Sequence, residues 1–293
     1  MAGILRNLRY CLAEARPAVL LITLLRYAAG TLLATHAGLH PARIAIGAVG
    51  CSGAAFAVYV FNGVTDRKED VANGSRRPIA AGALPVRFAA RAAAAAAVLS
   101  LVCGLALGTG ELSMICAYLL FGYAYSGRPF RFKQFFGTVM PSVMVLGLAT
   151  YFAGTLATGS RPGARLVAFA VANVLWMAVV GGISKDFSDV PGDRVAGRRS
   201  WPIVVGMNRA RVLLSCVAVA VAVGFYFAAA RYAVGLEDCA AVMVLGSVTV
   251  AVMCLFVRPG ASRARCRLPY RAFMWTQHAS HLVLLCTLGV AAV

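Results

Sequence analysis

Residues 42–70 read ARIAIGAVGCSGAAFAVYVFNGVTDRKED. From Ile44 to Thr65 no side chain is charged, and then Asp66, Arg67, Lys68, Glu69 and Asp70 follow without a break. A helix rises ~1.5 Å per residue, so an apolar run of this length reaches across the ~30 Å hydrocarbon core of a bilayer. The abrupt charge marks where the chain meets water. The stretch reads as a membrane span that delivers a cluster of carboxylates to the membrane surface.

The rest of the chain repeats the pattern. Of 293 residues, 61% are hydrophobic and 13% charged, with a mean hydropathy of +0.79. A soluble domain carries about a quarter charged residues. This composition cannot cover a globular surface, which excludes secreted, disordered and cytosolic classes. Apolar stretches at 17–37, 42–62, 88–108, 112–126, 135–157, 163–184, 210–230, 237–257 and 272–292 predict helices. The expected fold class is an all-α integral membrane protein, a single domain over 1–293 with roughly nine transmembrane helices bundled around a central cavity. The fourth run is short, so a tilted, kinked or shielded helix is expected there. The basic, polar N-terminus leads into a long apolar run with no small-residue cleavage site, and no cleavable leader is expected.

A net charge of +18 and a pI near 10.2 suggest nucleic acid at first sight. The basic residues follow topology instead. Of the 28 Lys and Arg, 23 fall on alternate connections, including those that contain residues 62–87, 125–134 and 185–209. By the positive-inside rule these loops and the N-terminus are cytoplasmic, and the partner implied is the lipid bilayer, not nucleic acid. Arginine outnumbers lysine 25 to 3 and alanine is abundant, a bias that reads as a GC-rich bacterial genome and hence a plasma membrane. Nine scattered cysteines without a CxxC pair read as small apolar packing groups.

Six of the ten acidic residues fall in the windows 66–70 and 186–193. Asn62, Asp66 and Asp70 stand at i, i+4, i+8, one stripe of a helix. Asp186, Asp189 and Asp193 stand at i, i+3, i+7, but Pro191-Gly192 argues against a helix beyond residue 190, in which case Asp193 reaches in from a turn. Oxygen-only donors suit Mg²⁺, which completes its shell with water and phosphate. Either window alone also reads as a solvated helix end. Two windows of the same chemistry on one side point to a shared cavity that holds Mg²⁺ around a diphosphate, since carboxylates cannot grip that anion directly. A third loop runs Tyr125-Ser126-Gly127-Arg128-Pro129-Phe130-Arg131-Phe132-Lys133. Its Arg128, Arg131 and Lys133, with Arg77 and Lys185, could neutralise a departing diphosphate; ordinary positive-inside charge is the alternative. Arg26, within the first span, is expected to face a cavity or a partner; contact with an acceptor or phosphate is one reading and a shifted span register the other. His278 and His281, at i, i+3 on the last span, read as interhelical hydrogen-bonding groups, with contact to an acceptor as the alternative.

Over nearly its whole length the chain resembles the UbiA-type intramembrane prenyltransferases. The first window is similar to that family's NDxxDxxxD motif, continuing into an RPI tail at Arg77-Pro78-Ile79-Ala80-Ala81-Gly82. The second resembles KDxxDxxGDxxxG at Lys185, Asp186, Asp189, Gly192, Asp193 and Gly197, with Pro202 downstream. Tyr125, Pro129 and Lys133 resemble its Tyr…Lys loop. One departure stands out: Gly63 occupies the place of the motif's first Asp, which reads either as one missing outer contact with metal binding intact or as a subgroup with altered diphosphate handling. The resemblance implies Mg²⁺ held by Asn62, Asp66, Asp70, Asp186, Asp189 and Asp193. It implies catalytic roles for Asp66, Asp70, Asp189 and Lys185, and substrate binding by Arg77, Tyr125, Arg128, Lys133 and Lys185. The implied substrates are a prenyl diphosphate and a small aromatic or lipophilic acceptor. A terpene cyclase of the same type, acting without an acceptor, is the alternative. A transporter is disfavoured because the acids stand at the ends of spans and not through their middles.

Overall fold

The computed structural model describes residues 2–34 and 40–290. An amphipathic α1 (Ala2–Glu14) leads into α2 (Pro17–Leu32) and α3 (Pro41–Thr65). The short α4 (Arg67–Ala72) follows, then α5 (Val86–Leu107), α6 (Thr109–Ser126) and α7 (Phe136–Ala157). Next, α8 (Ala164–Leu175) passes through a widened π turn, Trp176–Gly181, into α9 (Gly182–Val195). The last elements are α10 (Trp201–Val204), α11 (Met207–Tyr232), α12 (Glu237–Cys254), α13 (Arg263–Cys266) and α14 (Leu268–Val290). Among the described residues no strand forms; one isolated bridge joins Phe135 to Arg199.

Every apolar stretch expected to be helical forms a helix where it is described, apart from a few residues at its ends; 35–37 and 291–292, the ends of the first and last stretches, lie outside the described residues. Among the described residues six helical stretches are long and apolar enough to cross a membrane: Pro41–Thr65, Val86–Leu107, Gly137–Ala157, Ala164–Val195, Met207–Tyr232 and Glu237–Cys254. The shorter apolar α2, with α6 and α14, packs among them. The outward faces are apolar, with Leu105, Leu120, Phe227 and Leu245 exposed, as lipid requires and water would penalise.

Between helices in lipid no hydrophobic force acts, so close backbone approach carries the packing. At the crossing of α2 and α7, a β-carbon on Gly30 would strike the Tyr151 carbonyl oxygen, and one on Gly154 would strike that of Tyr27. Thr155 Oγ1 donates to the Gly30 carbonyl at 2.9 Å. Polar groups inside the bundle find partners across helices. Tyr151 Oη lies 2.5 Å from His281 Nε2, and His278 Nε2 lies 3.1 Å from the Ala18 carbonyl oxygen. Buried Arg26 brings Nη2 to 2.7 Å from Met177 Sδ, at the π turn. Trp176 on the same turn is buried and its Nε1 donates to the Phe273 carbonyl at 3.3 Å, which ties the segment ahead of α9 to α14.

Replacing Gly154 by Ala drives a methyl group into the Tyr27 carbonyl, and it is expected to destabilise the fold by ~1–3 kcal/mol. A lowered thermal unfolding midpoint in detergent is the readout; an unchanged midpoint means that α2 and α7 do not approach this closely.

Candidate active site

The span α3 ends at the first acidic window. Asp66 N–H donates to the Asn62 carbonyl at 2.9 Å, and Asp70 N–H donates to that of Asp66 at 2.8 Å. The i, i+4 register of Asn62, Asp66 and Asp70 therefore persists, although the helix breaks for one residue at Asp66 (φ −93°, ψ 8°). The expected single helix is two. Thr65 Oγ1, 3.0 Å from the Asn62 carbonyl oxygen, competes locally with the backbone ladder at the break.

The second window shows the opposite outcome. α9 continues through Pro191-Gly192 to Val195, so the stop expected after residue 190 does not occur. The reason is tertiary. Gly192 N–H, in the turn disturbed by Pro191, donates to Asn73 Oδ1 at 2.7 Å. A side chain at 192 would collide with the Asn73 amide and come within 2.7 Å of the Glu69 carbonyl oxygen. This contact between α4 and α9 brings the two acidic windows together at one end of the bundle.

Each acidic group there has a partner. Lys133, almost fully buried, contacts Asp66 Oδ1 and reaches Glu69 Oε1 at 3.1 Å. Arg77 Nη1 donates to Asp70 Oδ2 at 2.8 Å. Asp189 accepts from Ser188 Oγ at 2.9 Å and lies 3.9 Å from Lys185 Nζ and 3.8 Å from Arg263 Nη2. Buried Asp193 pairs with Arg198 Nη1 at 3.0 Å, and Asp186 Oδ2 accepts from Trp201 N–H at 3.3 Å. Burial raises the Glu69 carboxyl above its ordinary value, Asp66 adds to the effect, and Lys133 opposes it. The stripe of α9 is thus divided: Asp186 and Asp193 turn to the 198–201 segment, and Asp189 faces Lys185 and Arg263.

Among the described residues no three His, Cys, Asp or Glu side chains come close enough to enclose a metal ion. Mg²⁺ does not require such a cage, because it binds through one or two carboxylates, retained waters and substrate phosphate. The all-oxygen donors of Asn62, Asp66, Asp70 and α9 fit it on those terms, and Lys133 and Arg77 lie beside the carboxylates.

Two adjoining chambers open beside the carboxylates, and Tyr125 and Lys185 line both. One sets the polar side chains of Lys133, Asp186, Arg198 and Ser200 among apolar groups that include Met140, Ile183 and Trp201. The other joins Arg16, Asn62 and Arg77 to an apolar wall of Val143, Leu146, Met177 and Phe273. A cationic mouth on an apolar interior suits an anionic head attached to a hydrocarbon tail. Arg128 is exposed and lines an outer groove with Arg67, Lys68 and Arg131 instead. Sequence reasoning did not single out Glu14, Arg16, Glu69, Asn73, Arg198 or Arg263. Glu69 offered a signal, since it sits between two residues of the motif; the arginines were indistinguishable from topology charge. Arg16 has a left-handed backbone (φ 62°) in the turn between α1 and α2, a conformation uncommon outside glycine.

A model of the UbiA prenyltransferase family matches residues 23–277. The bacteriochlorophyll synthase 33 kDa chain of Cereibacter sphaeroides is 30% identical over 165 residues, which is 55% of this chain and 53% of that protein. A digeranylgeranylglyceryl phosphate synthase of Halobacterium salinarum is 35% identical over 160 residues, 51% of this chain and 52% of that one. The chain spans about half the length of the curated relatives it matches. Its fold is that of a UbiA homologue from Archaeoglobus fulgidus solved with GPP and Mg²⁺: TM-score 0.70, 19% identity, covering 94% of this chain and 99% of that one.

Asn73→Ala leaves the Gly192 N–H without its acceptor. The expected loss is ~1–3 kcal/mol of stability, together with faster amide hydrogen exchange confined to the 190–195 turn. Unaltered protection there means that α9 does not depend on Asn73.

Proposed function

The chain belongs to the UbiA prenyltransferase family, and we propose that it transfers a prenyl group from a prenyl diphosphate to a small aromatic or lipophilic acceptor inside the membrane. The observation that carries this reading is the pair of adjoining chambers in which Lys133, Lys185, Asp186 and Arg198, and Arg16, Asn62 and Arg77, meet an apolar wall. Support for an integral membrane protein comes from the six apolar helices and the family. We further propose that about nine helices span a bacterial plasma membrane, with the N-terminus and the chamber mouth on the cytoplasmic side, where most basic connections fall.

In this reading Asn62, Asp66, Asp70, Asp186, Asp189 and Asp193 are the candidate holders of Mg²⁺, with Asp66, Asp70 and Asp189 as the core. Mg²⁺ supplies the positive charge that lets a diphosphate lie beside carboxylates and leave as an anion. Arg77, Lys133 and Lys185 bind the diphosphate oxygens and neutralise the electron pair that the breaking C1–O bond delivers to them. Arg128, though exposed, stays a candidate for drawing the diphosphate toward the mouth. The apolar wall excludes water from the allylic cation, and the face of the Tyr125 ring can stabilise it. An electron-rich acceptor carbon or oxygen then forms the new bond and loses a proton.

Asp66→Ala and Asp189→Ala are each expected to lower turnover at least ~100-fold while helical content in detergent is kept. Near-normal rates would remove the carboxylates from the mechanism. Chelation of divalent metal is expected to stop product formation and added Mg²⁺ to restore it, followed by mass detection with donors of different chain length and a panel of acceptors. Release of diphosphate with a cyclic hydrocarbon and no acceptor would establish the cyclase instead.

A further inference from the structure

Gly63 stands where an aspartate is expected from the motif, and a side chain from elsewhere fills the space. A β-carbon at position 63 would strike Glu14 Oε1 and come within 2.8 Å of Arg77 Nη2. Glu14, the last residue of α1, is fully buried. We propose that Glu14 supplies from α1 the carboxylate absent at position 63, and acts as a positioning residue that holds Arg77, and through it Asp70, for the diphosphate. The role rests on the prenyl-transfer reading above.

The geometry is that of a clamp. Glu14 Oε1 lies 2.7 Å from Arg77 Nε, an ion pair without hydrogen-bond alignment, and Oε2 accepts the Ile79 N–H at 2.9 Å. Arg77 Nη2 donates to the carbonyls of Glu14 and Tyr59, each at 3.1 Å, while Nη1 donates to Asp70 at 2.8 Å. The planar guanidinium is thereby fixed on several edges, and its remaining freedom is small. Burial raises the Glu14 carboxyl and Arg77 opposes the effect, so the two charges depend on each other. Two carboxylates cannot occupy this space together. Glycine at 63 and glutamate at 14 form one unit, split between a surface helix and a span.

A reciprocal exchange tests this. Glu14→Ala is expected to raise the KM for prenyl diphosphate about ten-fold or more, with a smaller change in kcat. Gly63→Asp in the presence of Glu14 is expected to be harmful as well, by collision and like charge. Combining the two is expected to return KM to within about three-fold of the starting protein, because the carboxylate introduced at position 63 then takes over Arg77. Glu14→Gln keeps the shape without the charge and should raise KM as Ala does; it replaces Glu14→Ala if that variant cannot be purified folded. An unchanged KM in Glu14→Ala or Glu14→Gln, or a double variant as poor as the worse single one, overturns the proposal. Asp66→Ala run alongside separates the two readings. Turnover that survives it defeats the transferase reading, whereas turnover lost there but indifferent to Glu14 defeats this inference alone.

Discussion

Carboxylates gathered at the edge of a bilayer must be neutralised, and much of this structure follows from that requirement. Six acids stand in two short windows beside helices that are otherwise almost uncharged. A bare buried charge is costly at such a boundary, so five of the six carboxylates lie beside a cation and Asp186 accepts from the Trp201 N–H. Lys133 answers Asp66 and Glu69, Arg77 answers Asp70 and Glu14, and Arg198 answers Asp193. The same pairing keeps Lys133, Arg77 and Arg198 beside the acids at one end of the bundle.

That balance depends on how closely backbones approach. Glycine permits it where it matters: Gly192 lets α9 lie against the end of α4, Gly63 admits a carboxylate beside α3, and Gly30 and Gly154 let α2 meet α7. In each case the neighbour is a polar atom, so a methyl group would both collide and displace a partner. The site is thus built from absent side chains as much as from present ones.

The positions of the helices were legible in the sequence to within a few residues, because the length of an apolar run is set by the bilayer's thickness. The candidate residues were also legible as types: Asn62, Asp66 and Asp70 keep their i, i+4 register, and Lys133 and Lys185 lie beside carboxylates. Local rules failed at two places. A helix expected to continue breaks at Asp66, beside the Thr65 hydroxyl, and Asn73 supports one expected to stop. Glu14 and Arg198 were invisible as site residues, since nothing in their immediate neighbours distinguishes them from a surface helix end and a topology charge.

The amino-acid sequence by itself determined the apolar helices, the spacing of the two acidic windows and the surplus of cations over acids. These are local quantities, written in hydropathy, spacing and sign. Only the tertiary structure decided which cation answers which acid, that α9 runs through its proline, and that the gap at Gly63 is filled from α1. Those outcomes depend on contacts between residues far apart in the chain, and on the few ångströms of backbone approach that no single segment sets.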